Sequence, residues 1–108
     1  MRPFDLFIIH ISWENGEKSR PVLVYILGGN DIGVYQITTQ YENKSNTIKA
    51  MYFEINDWEQ AGLNKPSYVD TGTLIDIPEA VLISKKPIGK LTERDKLRLI
   101  EFLTRKEV

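Results

Sequence analysis

Hydrophobic and polar positions alternate from the start of the chain. Between Phe4 and Ser12 most residues are β-branched or aromatic, and Phe7, Ile9, Ile11 and Trp13 fall on one face at a period of two. That pattern predicts a strand. ENGEKS interrupts it with a polar loop around Gly16. Pro21 to Leu27 (PVLVYIL) is apolar throughout, as in a strand covered on both faces. GGND predicts a turn, and Ile32 to Thr39 a third strand. YENKSN is a second polar loop, and TIKAMYFEI predicts a fourth strand.

The period then changes. NDWEQAGL predicts a short helix capped by Asn56 or Asp57, with Gly62 near its end. NKPSYVDTGTLIDI reads as short extended pieces broken at Pro66 and Gly72, and Pro78 and Pro87 punctuate the segment leading to the last helix. That final element is the clearest helix. Thr92 and Asp95 have the spacing of a capping box, with Asp in place of Glu. Leu97, Ile100 and Leu103 form its apolar stripe, widened by Leu99 and Phe102. Several short strands with a terminal helix predict a mainly β, α+β fold: a small, bent β-barrel or half-barrel.

Composition narrows the possibilities. The 108 residues allow a single domain, spanning 1–108. Apolar content of 42% with 27% charge is that of a globular protein. No apolar run approaches the roughly 20 residues of a membrane span, and Asp5 interrupts the N-terminal stretch, so a cytoplasmic protein without membrane partners is expected. With no cysteine and one histidine there is no thiolate or multi-histidine metal set, and no cofactor is expected. Net charge is −1, so a nucleic-acid interface would rest on local clusters such as Lys85, Lys86 and Lys90.

Two stretches carry candidate chemistry. In QITTQ, alternation sets Gln36, Thr38 and Gln40 on one face and Ile37 and Thr39 on the other, which makes Thr38 the ligand-facing hydroxyl. Arg20 immediately precedes Pro21, which favours extended backbone at Arg20. The planar fork of a guanidinium suits phosphate oxygens. Lys49 and Lys65 are candidate phosphate contacts, and Tyr52, Tyr68 and Trp58 are candidate base-stacking rings. His10, beside Leu6 and Ile8, reads as a core or barrel-edge histidine.

RPVLV, a strand ending in ITTQ, then WEQAGLNKPSYV, then IGKLTERD opening the last helix: in this order, along most of its length, the chain resembles the MazF/PemK family of toxin endoribonucleases from bacterial toxin–antitoxin modules. The resemblance implies an SH3-like β-barrel that forms a homodimer. It implies metal-independent cleavage of single-stranded RNA, leaving a cyclic phosphate and a free 5′-hydroxyl, and a cognate antitoxin partner. Carried over residue by residue, the catalytic arginine falls on Arg20 and the catalytic hydroxyl on Thr38. Gln36, Gln40, Lys49 and Lys65 are the expected RNA contacts. Many members carry a glutamate five positions before the arginine; that position is Asn15 here. Glu17, with Glu14 nearby, is the candidate general base in its place. The alternative function is a catalytically weak or inactive barrel that binds RNA or a protein partner.

Overall fold

The computed structural model describes residues 1–106, without the side chains of Ile11, Trp13 and Lys106. The alternating N-terminal run forms β1 (Asp5–Trp13), and β2 (Gly16–Gly28) returns along it. The first polar loop is much shorter than its composition predicts. Trp13 already pairs with Gly16 and Ser12 with Glu17, so only Glu14 and Asn15 make the turn. A second turn leads to β3 (Asp31–Thr38), with Gly29 at φ +59 in the left-handed region that glycine adopts freely.

The predicted fourth strand divides. Its first residues form one helical turn, α1 (Asn46–Lys49), because Ser45 caps it: the Ser45 Oγ accepts the Ile48 N–H at 3.3 Å. Only Tyr52–Ile55 is strand, β4. NDWEQAGL does not become a regular helix. It makes a turn closed by bonds from the Ala61 N–H to the Asp57 carbonyl and from the Leu63 N–H to the Trp58 carbonyl, and Gly62 ends it at φ +94.

The next stretch is one long strand, β5 (Ser67–Pro78), not several pieces. Gly72 marks a bulge: Gln36 pairs with Asp70, but Val34 already pairs with Ile75. The bulged segment is held by the Thr71 N–H and hydroxyl, both donating to the Met51 carbonyl. A single 3-10 turn (Glu79–Val81), a two-residue strand β6 (Gly89–Lys90) and the helix α2 (Glu93–Lys106) complete the chain.

The six strands form one antiparallel sheet in the order β4-β5-β3-β2-β1-β6, curled into a half-barrel. Each face has its own core. On the helix face, Leu6, Leu23, Tyr35, Ile37, Phe53, Ile55 and Val69 are buried beneath Leu91 and Leu99. On the opposite, open face, Phe7, Ile9, Val22, Val24, Ile32 and Val34 are covered by Leu82. The continuous apolar run of β2 is therefore explained by burial on both sides. The inward stripe of α2 differs from the predicted one. Leu99 is buried, while Leu97 is 63% exposed and Ile100 also faces out. The cause is Asp95, which is fully buried. Its carboxylate accepts the Asn56 and Asp57 N–H groups and pairs with Arg98, and this rotates the helix toward the Asn56–Gly62 turn.

Close backbone contact locks that turn in place. A Cβ on Gly62 would lie 2.2 Å from the Ile88 carbonyl oxygen, and one on Gly89 would lie 2.1 Å from that of Ala61. Among the described residues no helix is long and apolar enough to cross a membrane.

Candidate functional site

The ladder between β2 and β3 runs through Leu23–Tyr35 to Val22–Gln36 and then stops. Pro21 has no N–H to donate, so the ladder cannot continue there through that residue. Beyond this point β2 stays with β1, where Arg20 pairs with Ile9, and β3 stays with β5, where Thr38 pairs with Tyr68. Had the register continued, Arg20 would lie abreast of Thr38. Instead a cleft of about 200 Å³ opens between the parted strands.

Lys18, Ser19, Arg20 and Pro21 form one wall; Ile37, Thr38, Thr39 and Gln40 form the other, and Leu63, Asn64 and Ser67 close it. Residues of both parities line it, so it is a slot along the seam and not a dish on one face. Its charge sets it apart. Lys18 and Arg20 line it and no carboxylate does, whereas four other clefts on the molecule each carry at least one Asp or Glu. Arg20 is half-buried, and among the described residues it forms no ion pair. The Thr38 Oγ accepts the Gln40 N–H at 3.0 Å, which leaves its hydroxyl proton free to donate outward.

Antiparallel pairing extends the site across the open face. Directly opposed residues share a face, so Val22, Gln36, Asp70 and Tyr52 form one row, and Thr38, Tyr68 and Glu54 the next. Electrostatics agrees with this geometry. Burial raises the Tyr52 phenol above its usual range, the Asp70 carboxylate raises it further, and the Arg20 guanidinium pulls it down. Burial raises the Tyr68 phenol in the same way, helped by Glu54 and Glu42. At the end of the rows Tyr41 stacks on Tyr68 at 4.4 Å between centroids and lies 6.4 Å from Tyr52. The Lys49 Nζ sits 5.0 Å over the Tyr41 ring and 3.9 Å from Glu42.

The structure thus brings Arg20, Thr38 and Gln40 to the cleft, places Gln36 beside it, and leaves Lys49 at the far edge of the tyrosines. Lys65 is exposed next to the cleft, its carbonyl accepting the Ser67 hydroxyl at 2.8 Å. Trp58 packs against the helix-face core. Glu17 is not part of the group. Its partner Ser12 lies on the face opposite Ile9 and Arg20, and its carboxylate meets the His10 Nε2 at 3.1 Å on the exposed hairpin. His10 is correspondingly solvent-facing and not a core residue.

Lys18, Asp70 and Tyr41 are members that the sequence alone does not reveal. Lys18 shares the parity of Arg20, a signal hidden when ENGEKS is read as a loop. Among the described residues no group of three or more His, Cys, Asp or Glu side chains is placed to hold a metal ion. No family model, curated protein or solved structure matches the chain.

Proposed function

We propose that this chain is a metal-independent endoribonuclease of the MazF/PemK type, an SH3-like barrel acting on single-stranded RNA and held in check by an antitoxin. The observation that carries the reading is the acid-free cleft where Arg20 and Thr38, distant in sequence, meet with an unpaired guanidinium and a free hydroxyl proton. Three of the four stretches behind the resemblance contribute to that cleft: Arg20–Pro21, Ile37–Gln40 and Leu63–Ser67. The fourth, around Gly89, packs backbone to backbone against Ala61 and Gly62 and so holds the third in place.

The groups present define the chemistry. A phosphodiester in the cleft presents its non-bridging oxygens to Arg20 and Thr38. The ribose 2′-oxygen attacks the adjacent phosphorus, the bond to the 5′-oxygen breaks, and a 2′,3′-cyclic phosphate remains. Charge gathers on the non-bridging oxygens in the transition state, where a guanidinium fork and a hydroxyl donor bind it more tightly than the ground state. The nucleophile belongs to the substrate, so these residues need only to position and neutralise. A homodimer and an antitoxin segment laid over the cleft belong to the same reading.

The placement of Glu17 on the other face favours a second reading, a barrel that binds RNA without cutting it. One experiment separates the two: incubation of the purified protein with a labelled single-stranded RNA in excess chelator, beside Arg20→Ala and Thr38→Val. The first reading expects cleavage to cyclic-phosphate and 5′-hydroxyl ends, reduced about a hundredfold or more by removal of Arg20. Binding that is lost in Arg20→Ala, with no cleavage by any form, establishes the second.

A further inference from the structure

We propose that Lys18 holds the phosphate next to the one at Arg20 and Thr38, so that the cleft takes two successive phosphates of a single RNA strand. The inference rests on the RNA-cleft reading and deepens it, by naming the cation that sets the strand's path away from the reacting bond.

One row of β2 carries the argument. Val22, Arg20 and Lys18 lie on the same face, pairing in unbroken register with Phe7, Ile9 and Ile11 of β1. Val22 is buried, Arg20 half-buried and Lys18 exposed, so the row climbs from the core to solvent through two cations. Alternate residues of a strand stand about 6.5–7 Å apart. That is close to the repeat of successive phosphates along an extended single strand, and a basic groove of this kind tracks a nucleic-acid backbone.

No acid competes for Lys18. It is the only lysine that lines the cleft, no carboxylate lines the cleft with it, and among the described residues it forms no ion pair. Glu17 belongs to the other face of β2, where it meets His10. Asp70 shares a row with Val22 and Gln36 at the inner end of the seam, while Lys18 stands at the outer end. Lys49, in contrast, is engaged by Glu42 and by the Tyr41 ring, and Lys65 sits beside the cleft without lining it.

The two cations suit different tasks. The fork of Arg20 fixes the orientation of the phosphate it holds. An ammonium on a flexible stem is a point charge, which neutralises a phosphate without dictating its orientation. A flanking phosphate, whose bonds stay intact, needs no more than that. Its charge is the same in the ground state and in the transition state, so Lys18 contributes to binding and not to the chemical step.

Lys18→Met keeps an unbranched stem and removes the charge. Binding to a fluorescein-labelled, uniformly 2′-O-methylated oligoribonucleotide, which lacks the attacking hydroxyl, is followed by anisotropy over a range of salt in chelator. The wild type, Lys18→Met, Lys18→Arg and Lys96→Met, which changes a lysine of α2, are compared, with thermal melts alongside. We expect Lys18→Met to melt with the wild type and to bind several-fold more weakly. The slope of log K against log salt should fall in magnitude by about 0.7, the value for one phosphate contact on a single strand. Lys18→Arg should keep both affinity and slope, and Lys96→Met should match the wild type. On a cleavable oligoribonucleotide, Lys18→Met should raise KM several-fold with kcat within twofold. On a dinucleoside monophosphate, which carries the reacting phosphate alone, it should act like the wild type. An unchanged slope in Lys18→Met, or an equal fall in Lys96→Met, overturns the assignment, while RNA cleavage by the wild type keeps the nuclease reading standing. An equal loss on the dinucleoside monophosphate moves Lys18 to the reacting phosphate and overturns it too. A wild type that binds RNA and never cuts it removes the nuclease reading alone, and the salt slope still decides the role of Lys18. A wild type that binds no RNA overturns both.

Discussion

The two faces of the sheet are built from the same strands and the same alternation, yet they end differently. On the helix face, apolar residues continue from Leu6 and Leu23 across Tyr35 and Ile37 to Val69 and Phe53, all under α2. On the open face, the apolar core stops near Val22 and Val34, and the next rows are Gln36, Asp70 and Tyr52, then Thr38 and Tyr68. The polarity changes where β2 and β3 separate. A seam that opened on the helix face would expose core. Where it does open, it presents Lys18, Arg20, Thr38 and Gln40 beside the edges of Pro21, Ile37 and Leu63. The contrast separates residues kept for packing from residues free to serve a ligand.

The largest effect should come from the covered side. Leu99→Ala removes a fully buried side chain from the helix-face core and should cost about 2–5 kcal/mol in denaturant unfolding. Leu97→Ala, two residues away and 63% exposed, should change stability by no more than about 0.5 kcal/mol. Equal costs at the two positions would mean that α2 is rotated from the orientation set by Asp95.

A smaller effect, dependent on pH, is expected where α2 meets the Asn56–Gly62 turn. Arg94 hydrogen-bonds the Asp57 carboxylate and, with Thr92, holds its pKa below the ordinary range. A carboxyl depressed on folding adds stability above its unfolded pKa, near 3.9. That contribution disappears as pH falls through the lower folded value. Unfolding curves of the wild type and Arg94→Ala should therefore differ most near neutrality and converge as the pH drops below about 4. A gap that widened in acid would reverse the assigned sign.

The sequence makes legible whatever depends on period and local chemistry. β1, β2, β3 and α2 are set by alternation, a doubly covered apolar run and the Thr92–Asp95 spacing. Alternation singles out Thr38 and the following proline singles out Arg20, but their meeting in one cleft depends on the strand register, a long-range property that the sequence does not display. Features that stay hidden depend on tertiary partners. ENGEKS is polar because it is an exposed hairpin, not because it is unpaired. Gly72 bends β5 without ending it, because Thr71 finds the Met51 carbonyl. Asp95 has the spacing of a cap and is also the buried anchor of a turn 38 residues away. Asp70 carries no local signal: only the pairing of β3 with β5 sets it beside Gln36.

The smallest expected effect on stability is also the one that most sharpens the contrast. Arg20 has no ion-pair partner among the described residues and faces Ile9 across the β1–β2 ladder. Arg20→Leu should therefore leave unfolding free energy within about 0.5 kcal/mol, or raise it slightly, by placing an apolar side chain beside an apolar neighbour. The same change removes one of the two cations from the cleft and, on the proposed function, should abolish RNA binding. A residue that contributes nothing to folding but is needed for binding belongs to the ligand. If Arg20→Leu instead cost about 2 kcal/mol or more (a threshold set by what an unsatisfied buried group costs), the guanidinium would be a structural group, and the polar end of the open face would need a different explanation.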